Sequence, residues 1–306
     1  MLGGNGFIGS YIVDNLASKG HVVKVFDNLK DDIKLYKEDK NIEGLSRNFL
    51  NRSDISSALK DVDYVFHFIS TTTPASSEND PLIDINTNIA MSVVLFEECI
   101  KSNIKKVIFP STGGAIYGRT THPSKETDLT EPVSPYAIGK LTIENYLRYY
   151  KEKHGLDYLI LRPSNPYGPR QPFHRNQGVI PIFLERIVSG NDIAVMGDGE
   201  MQRDYVYVED VAKAITDIFD KTTKHNIYNI GSGKTTTLNE LVKIMKNVTQ
   251  KNFDIKHKPS PVTFLSKSCM DVGRYESEFG KIAHTELSVG ISNTYEYINK
   301  SYSNQN

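Results

Sequence analysis

The chain has little cysteine, no surplus of either charge and no long apolar run, and each shortage removes a class of function. Only Cys99 and Cys269 occur in 306 residues, far apart and outside any CxxC or Cys/His cluster. Neither a disulfide framework nor a zinc site is indicated, which fits a reducing, cytoplasmic setting. Lys and Arg total 36 against 37 Asp and Glu, a net charge of -1, so there is no basic excess to hold DNA or RNA. The longest apolar runs, such as Tyr64 to Ile69, are strand-sized and far short of the roughly 18 residues of a membrane span. No basic segment followed by an apolar one opens the chain, so no signal peptide is read. The eight histidines are scattered without metal-ligand spacing, and His67, in an apolar strand, reads as a hydrogen-bonded core residue. No metal is expected.

What is present is enough hydrophobic content, 39%, for one large core or two unequal ones. The first half alternates short β-branched or aromatic runs with helical stretches, the pattern of a parallel sheet covered by helices. Strands are predicted at His21–Phe26, Leu45–Leu50, Val62–Phe68, Lys106–Phe109 and Asp157–Leu161, and helices at Phe7–Lys19, Leu82–Ser102 and Tyr136–Lys153. The loop-forming stretch Pro163 to Pro172 marks a lobe boundary. Val211–Phe219 and Ile227–Ile230 read as one more helix and strand returning to the sheet. The expected fold is therefore α/β, a Rossmann-type doubly wound parallel sheet with a smaller mixed α/β C-terminal lobe. The dinucleotide-binding domain is set at residues 1–165 plus about 206–230, and the substrate lobe at about 166–205 and 231–306.

Gly4-Asn5-Gly6-Phe7-Ile8-Gly9 fits G-x-G-x-x-G, and Gly3 gives a second spacing with glycines at 3, 6 and 9. At such a turn the backbone can approach a pyrophosphate, and the following helix N-terminus offers N–H donors and a favourable dipole. The motif alone is weak. Its context strengthens it, because it opens an amphipathic helix and Asp27 closes the next strand. A carboxylate there accepts hydrogen bonds from an unmodified ribose and repels a 2′-phosphate, so NAD is favoured over NADP. Only Met1 and Leu2 stand before Gly3, so the first strand is expected to be truncated, leaving the neighbouring strands unpaired.

Ser134-Pro135-Tyr136 reads as a helix start, placing Tyr136 and Lys140 four residues apart on one face. A nearby ammonium and a positive nicotinamide ring would both favour the phenolate, making Tyr136 a base for a sugar hydroxyl. On its own, a YxxxK pair on a surface helix is more often just solvated.

Read together, the glycine turn and the Tyr–Lys pair resemble the extended short-chain dehydrogenase/reductase superfamily, in its nucleotide-sugar epimerase/dehydratase branch. Further matches are Asp54-Ile55, His67-Phe68, Asn88, Ser111 to Gly118, Leu161 to Asn165, Gly178 to Pro181 and Arg203-Asp-Tyr205. The resemblance implies that Gly3, Gly6, Phe7, Ile8 and Gly9 cradle the NAD pyrophosphate, that Asp27 and Asn28 hold a ribose, and that Asp54 and Ile55 flank the adenine. Phe68, Asn88, Tyr136, Lys140 and Pro163 would line the nicotinamide side. Asn165, Val179 and Arg203 would face the nucleotide of the substrate, although Arg203 could equally form a surface ion pair with Asp204 or Asp198. The family's active-site Ser or Thr falls at Gly113, leaving Thr112 as the expected substitute and Ser111 as the other. The acid and base that 4,6-dehydratases carry next to it are absent from Thr112-Gly113-Gly114, which argues against water elimination. A second phosphate-binding arginine is replaced around Ser260. Gly231 to Thr235 imitates the end of a P-loop, but Tyr228 stands where its leading glycine should be, and a strand-to-helix turn is expected instead.

These readings predict NAD-dependent C4 epimerisation of a UDP-hexose through a 4-keto intermediate, by a cytoplasmic homodimer packed through helices 82–102 and 136–153. The alternatives are a 4-keto-sugar reductase, a UDP-glucuronate decarboxylase, or a non-catalytic NAD-binding scaffold.

Overall fold

The computed structural model describes residues 1–29, 34–173, 178–260 and 265–303. The chain divides into two compact units. The first comprises Met1–Ile116, Pro132–Arg162 and Ala212–Tyr228, and the second Tyr117–Glu131, Pro163–Val211 and Asn229–Asn306.

The first unit is built on parallel strands. Val23–Asp27 pairs with Ile42–Ser46, while Tyr64–Phe66, Lys106–Pro110 and Asp157–Pro163 pair in sequence and Ile227–Ile230 closes the row beside Asp157–Pro163. Leu2 joins the two groups, bridging in parallel to Phe26 on one side and His67 on the other. These bridges join the neighbours at Phe26 and His67, where the truncated first strand was expected to leave them unpaired. Leu2 N–H donates to Phe66 O, Gly3 N–H to Phe26 O, Phe26 N–H to Met1 O and Phe68 N–H to Leu2 O, each at 2.9 Å. Strand order reverses at this point, so the turn after Gly3 lies at the carboxyl end of the topological switch point, where doubly wound sheets bind ligands.

Periodicity accounts for most elements. Helix Phe7–Ser18 buries Tyr11, Ile12, Val13 and Leu16, and helix Pro135–His154 runs from the Ser134 cap, whose hydroxyl accepts from Ala137 N–H, to Gly155. Two predictions shift. The strand expected at Leu45–Leu50 lies at Ile42–Ser46, because Asn48 and Asn51 take up the following backbone in a turn: Leu50 N–H donates to Asn48 Oδ1, and Asn51 caps helix Arg52–Ala58. The helix expected at Leu82–Ser102 is three segments, a turn Pro81–Ile83, a π-helical stretch Asp84–Ile89 and an α-helix Ala90–Lys101. The wider π turn brings Asp84 and Asn88 inward together, and they are its two buried residues. The core beneath the sheet contains Leu2, Phe26, Ile55, Phe96, Phe109, Leu147 and Ile160. His67 sits in it, its Nε2 2.7 Å from Ser92 Oγ, and burial lowers its pKa to about 3, so it is neutral.

The second unit has its own core, including Tyr167, Leu184, Val195, Leu241 and Ile291. Segment Tyr117–Glu131 belongs to this unit and not to the first. Asn229 holds it: Tyr117 Oη donates to Asn229 Oδ1 at 2.7 Å, and Asn229 donates to Ser124 O and Glu126 Oε1, both at 2.8 Å. The Gly231–Thr235 turn leads into strand Thr236–Thr237 and helix Leu238–Thr249. It is fixed by buried Asp204, whose Oδ1 accepts from Ser232 N–H at 2.9 Å and Ser232 Oγ at 2.7 Å.

Candidate active site

The glycine turn of the first unit has no room for side chains. An ideal Cβ on Gly9 would stand 2.0 Å from Gly3 O, and one on Gly3, at φ +78°, would stand 2.7 Å from Phe68 C. These glycines therefore set no side chain over the start of helix Phe7–Ser18, whose N-cap Gly6 has no capping side chain. Asp27, the last residue of its strand, sits beside the turn. Its Oδ2 accepts from Asn5 N–H at 2.9 Å and its Oδ1 from Asn28 N–H at 2.8 Å. A cradle that a Cβ would fill, with a carboxylate held at its edge, fits a dinucleotide. Phe68 follows directly behind Gly3, and the half-buried Asp54 lies at the start of helix Arg52–Ala58, its Oδ2 accepting from Asn48 N–H. Ile55 is 1% exposed in the core, so its side chain supports this surface from below rather than lining it.

The Tyr–Lys pair is in place. Lys140 is 7% exposed, its Nζ donates to Pro110 O at 3.0 Å, and it lies 4.7 Å from the Phe109 ring centroid and 5.7 Å from that of Tyr136. Burial lowers the Lys140 pKa to about 8, partly opposed by the charges of Asp84 and Glu144. The expectation for Tyr136 is reversed in the protein alone. Loss of hydration, and secondarily the Asp84 charge, raise it to about 12, because desolvation of the phenolate outweighs what the lysine offers. Asn88 closes the group from the π turn: its Oδ1 accepts from Thr71 N–H at 2.9 Å, and its Nδ2 donates to Asp84 Oδ1 at 2.7 Å and Thr72 Oγ1 at 2.9 Å. Glu144, one turn beyond Lys140, is tied to Arg162 by a buried pair at 2.6 Å. Thr112, half-buried, and Ser111, buried with an unpartnered hydroxyl, follow strand Lys106–Pro110. Among the described residues there is no group of three or more His, Cys, Asp or Glu placed to hold a metal.

The second unit contains a cavity of about 670 Å³ lined by Asn165, Val179 and Arg203. It thus unites the three residues expected to face the substrate nucleotide. Arg203 makes no ion pair among the described residues; its Nη1 donates to Gln202 O at 2.8 Å, and desolvation lowers its pKa. Asp204 points to the opposite side of the strand, toward the Gly231–Thr235 turn, which removes the ion-pair alternative. Tyr167 and Tyr205 hydroxyls and Gln171 Oε1, also in the lining, are buried and have no hydrogen-bond partner among the described residues. Helix Val179–Val188 starts at this cavity with no side-chain cap. Lys256 and Lys258 stand at its wall, Lys256 paired with Asp192 at 2.7 Å. Pro163 is buried as the last residue of its strand. Sequence reasoning missed Asp84, Thr72 and the tyrosines; the i,i+4 spacing of Asp84 and Asn88 was the one available sign.

The profile of the NAD dependent epimerase/dehydratase family matches residues 1–231. The chain belongs to this family. Similarity extends beyond the matched segment: a UDP-glucose 4-epimerase of Mycolicibacterium smegmatis is 31% identical over 307 residues, covering 98% of both proteins. The crystal structure of UDP-glucose 4-epimerase from Thermotoga maritima with UDP-glucose is 38% identical, covers 98% of each chain and superposes with a TM-score of 0.92. That of UDP-glucose 4-epimerase from Thermus thermophilus with NAD is 31% identical, covers 97% of each and gives 0.90. As a family member the protein is an NAD-dependent enzyme of Rossmann type. No described helix is long and apolar enough to cross a membrane.

Proposed function

We propose that the protein interconverts C4 epimers of a UDP-hexose. The observation that carries this reading is the buried Tyr136–Lys140 pair, in the same unit as the glycine turn, in a chain that matches, over nearly its whole length, an enzyme holding UDP-glucose. Gly3, Gly6, Phe7, Ile8 and Gly9 hold the NAD pyrophosphate, with Asp27 and Asn28 on a ribose, Asp54 at the adenine, and Phe68 and Asn88 on the nicotinamide side. When bound, NAD supplies the acceptor that takes the C4 hydride and returns it, and a positive ring that offsets the high pKa of Tyr136. Tyr136 takes the proton of the C4 hydroxyl and later gives it back, so it acts once as base and once as acid. Lys140 holds its positive charge beside the phenolate. Thr112 orients the hydroxyl; a loss of turnover in Ser111→Ala but not in Thr112→Val would transfer that role to Ser111.

The cavity of the second unit takes the nucleoside diphosphate. A guanidinium at Arg203 with no ion-pair partner among the described residues, a helix N-terminus with no side-chain cap, and hydroxyls unpartnered among the described residues together suit an anion with a polar base, and binding there anchors the substrate. The lack of an acid in Thr112-Gly113-Gly114 supports epimerisation over dehydration. We further propose a cytoplasmic homodimer. Leu82, Ile85, Ile138 and Tyr149 leave apolar surface exposed on the helices from 82 to 102 and 136 to 153, and light scattering should give twice the 34.4 kDa chain mass.

NMR of the purified protein with UDP-glucose, UDP-N-acetylglucosamine and UDP-glucuronate tests the reaction. Formation of a C4 epimer that disappears in Tyr136→Phe supports it. Net NADH consumption would indicate a reductase, CO2 release a decarboxylase, and silence with NAD bound a scaffold.

A further inference from the structure

The Tyr–Lys pair leaves a third ionisable group without an assigned task. Asp84 is 3% exposed and has no cation within ion-pair distance among the described residues, a costly arrangement unless the charge is used. Its Oδ1 accepts from Thr72 Oγ1 at 2.5 Å and from Asn88 Nδ2 at 2.7 Å. Its Oδ2 rests against helix Pro135–His154 at Gly139, so closely that an ideal Cβ there would lie 2.0 Å away. Gly139 lies on the turn that joins Tyr136 to Lys140, and Asp84, Asn88, Tyr136, Gly139 and Lys140 line one small cavity. A glycine inside a helix is destabilising relative to alanine, so its place there calls for a reason of its own. The carboxylate supplies one.

We propose that Asp84 is a positioning residue for the Tyr–Lys pair: seated in the gap at Gly139 and bound by Thr72 and Asn88, it locks the helix to the π turn and keeps the Lys140 amine charged. This extends the reading of Tyr136 and Lys140 as the reacting pair and rests on it. Burial alone drives Lys140 toward the neutral amine, and Asp84 is the larger of the two carboxylate charges opposing that; the other, Glu144, is committed to Arg162. The same charge disfavours the Tyr136 phenolate, so Asp84 moves both groups in one direction. Other ionisable groups around it are neutral His67 under Lys140, and Glu78 and Asp80 on the short helical turns that precede it. None of these replaces it, since His67 is uncharged and Asp80 Oδ1 is occupied as the cap of Leu82 N–H.

Asp84→Asn keeps the shape and both Oδ1 hydrogen bonds while removing the charge. In the NAD-loaded enzyme both limbs of the pH–rate profile should move to lower pH by about 0.5–2 pH units, the range for charges that share one small cavity in surroundings between water and protein interior. The NMR titration of Lys140 in 13C-lysine-labelled protein, assigned with Lys140→Arg, reads the same effect without turnover and stays informative if the proposed reaction fails. Its midpoint, about 8 in the unaltered chain, should fall in Asp84→Asn. Gly139→Ala, which displaces the carboxylate from the other side, should lower it too and serves if Asp84→Asn does not fold. Lower activity or stability with an unmoved Lys140 midpoint would overturn the proposal.

Discussion

Replacing Gly9 with alanine tests the cofactor cradle in the first unit. The added methyl would stand 2.0 Å from Gly3 O, 3.0 Å from Gly3 C and 3.1 Å from Gly4 Cα. A carbon and a carbonyl oxygen need about 3.2 Å, so the turn must open by roughly 1 Å, and the clash is with backbone that has no rotamer to escape into. Overpacking of this kind costs about 1–3 kcal/mol, while the better helix propensity of alanine returns about 1. Net destabilisation of about 0–2 kcal/mol is expected, at most a few degrees in the thermal midpoint. The effect on NAD should be larger than the effect on folding, because a displacement near 1 Å of groups that fix a ligand can cost about 100-fold. Gly20→Ala is the control: Gly20 has φ +85° and open space around its Cβ position, so alanine there adds strain and leaves the cradle alone. Calorimetric titration with NAD should give wild-type affinity for Gly20→Ala and a loss near 100-fold for Gly9→Ala. If Gly9→Ala binds NAD as well as the unaltered chain, the cradle assignment is wrong.

Other expectations follow from charges held away from water. Arg203→Met should weaken UDP-sugar binding by about 10–100-fold, the worth of a charge-assisted hydrogen bond, while leaving stability equal or higher, because the cation it removes has no ion-pair partner among the described residues; unchanged affinity in calorimetry would remove Arg203 from the substrate cavity. Lys140 has its pKa lowered from 10.5 to about 8 on folding, so the unfolded chain binds more protons between those values and stability gained from this residue rises across that window. Below pH 8 its burial costs about 3 kcal/mol, so in NAD-free protein Lys140→Met should be more stable than the parent near neutrality, with the difference shrinking from pH 8 to 10.5. Denaturant melts across that range check the sign, and a pH-independent difference would contradict the depressed pKa. Arg162→Met should cost about 3–5 kcal/mol in the same melts, since it strands Glu144, 4% exposed, without its partner.

The local part of this protein was legible in its sequence. Glycine spacing, the Ser134-Pro135 helix start, the Tyr136–Lys140 interval and the alternation of apolar runs depend on residues adjacent in the chain or one helical turn apart, where side-chain type and backbone geometry are coupled directly. The Rossmann order followed from that alternation with right-handed crossovers. Three features required the fold. Leu2 pairs both neighbours because Phe26 and His67, distant in sequence, are brought to either side of it. Asp84 gains its place through a π turn and through Gly139, 55 residues later, a close approach that no periodicity encodes. Residues 117–131 join the second unit because Asn229, more than a hundred residues away, offers the hydrogen bonds their loop cannot make for itself. Sequence thus determined which residue types could carry the chemistry and roughly where each element lies; tertiary structure decided which of them are desolvated together, and desolvation is what moves Tyr136 and Lys140 away from their ordinary pKa values in water.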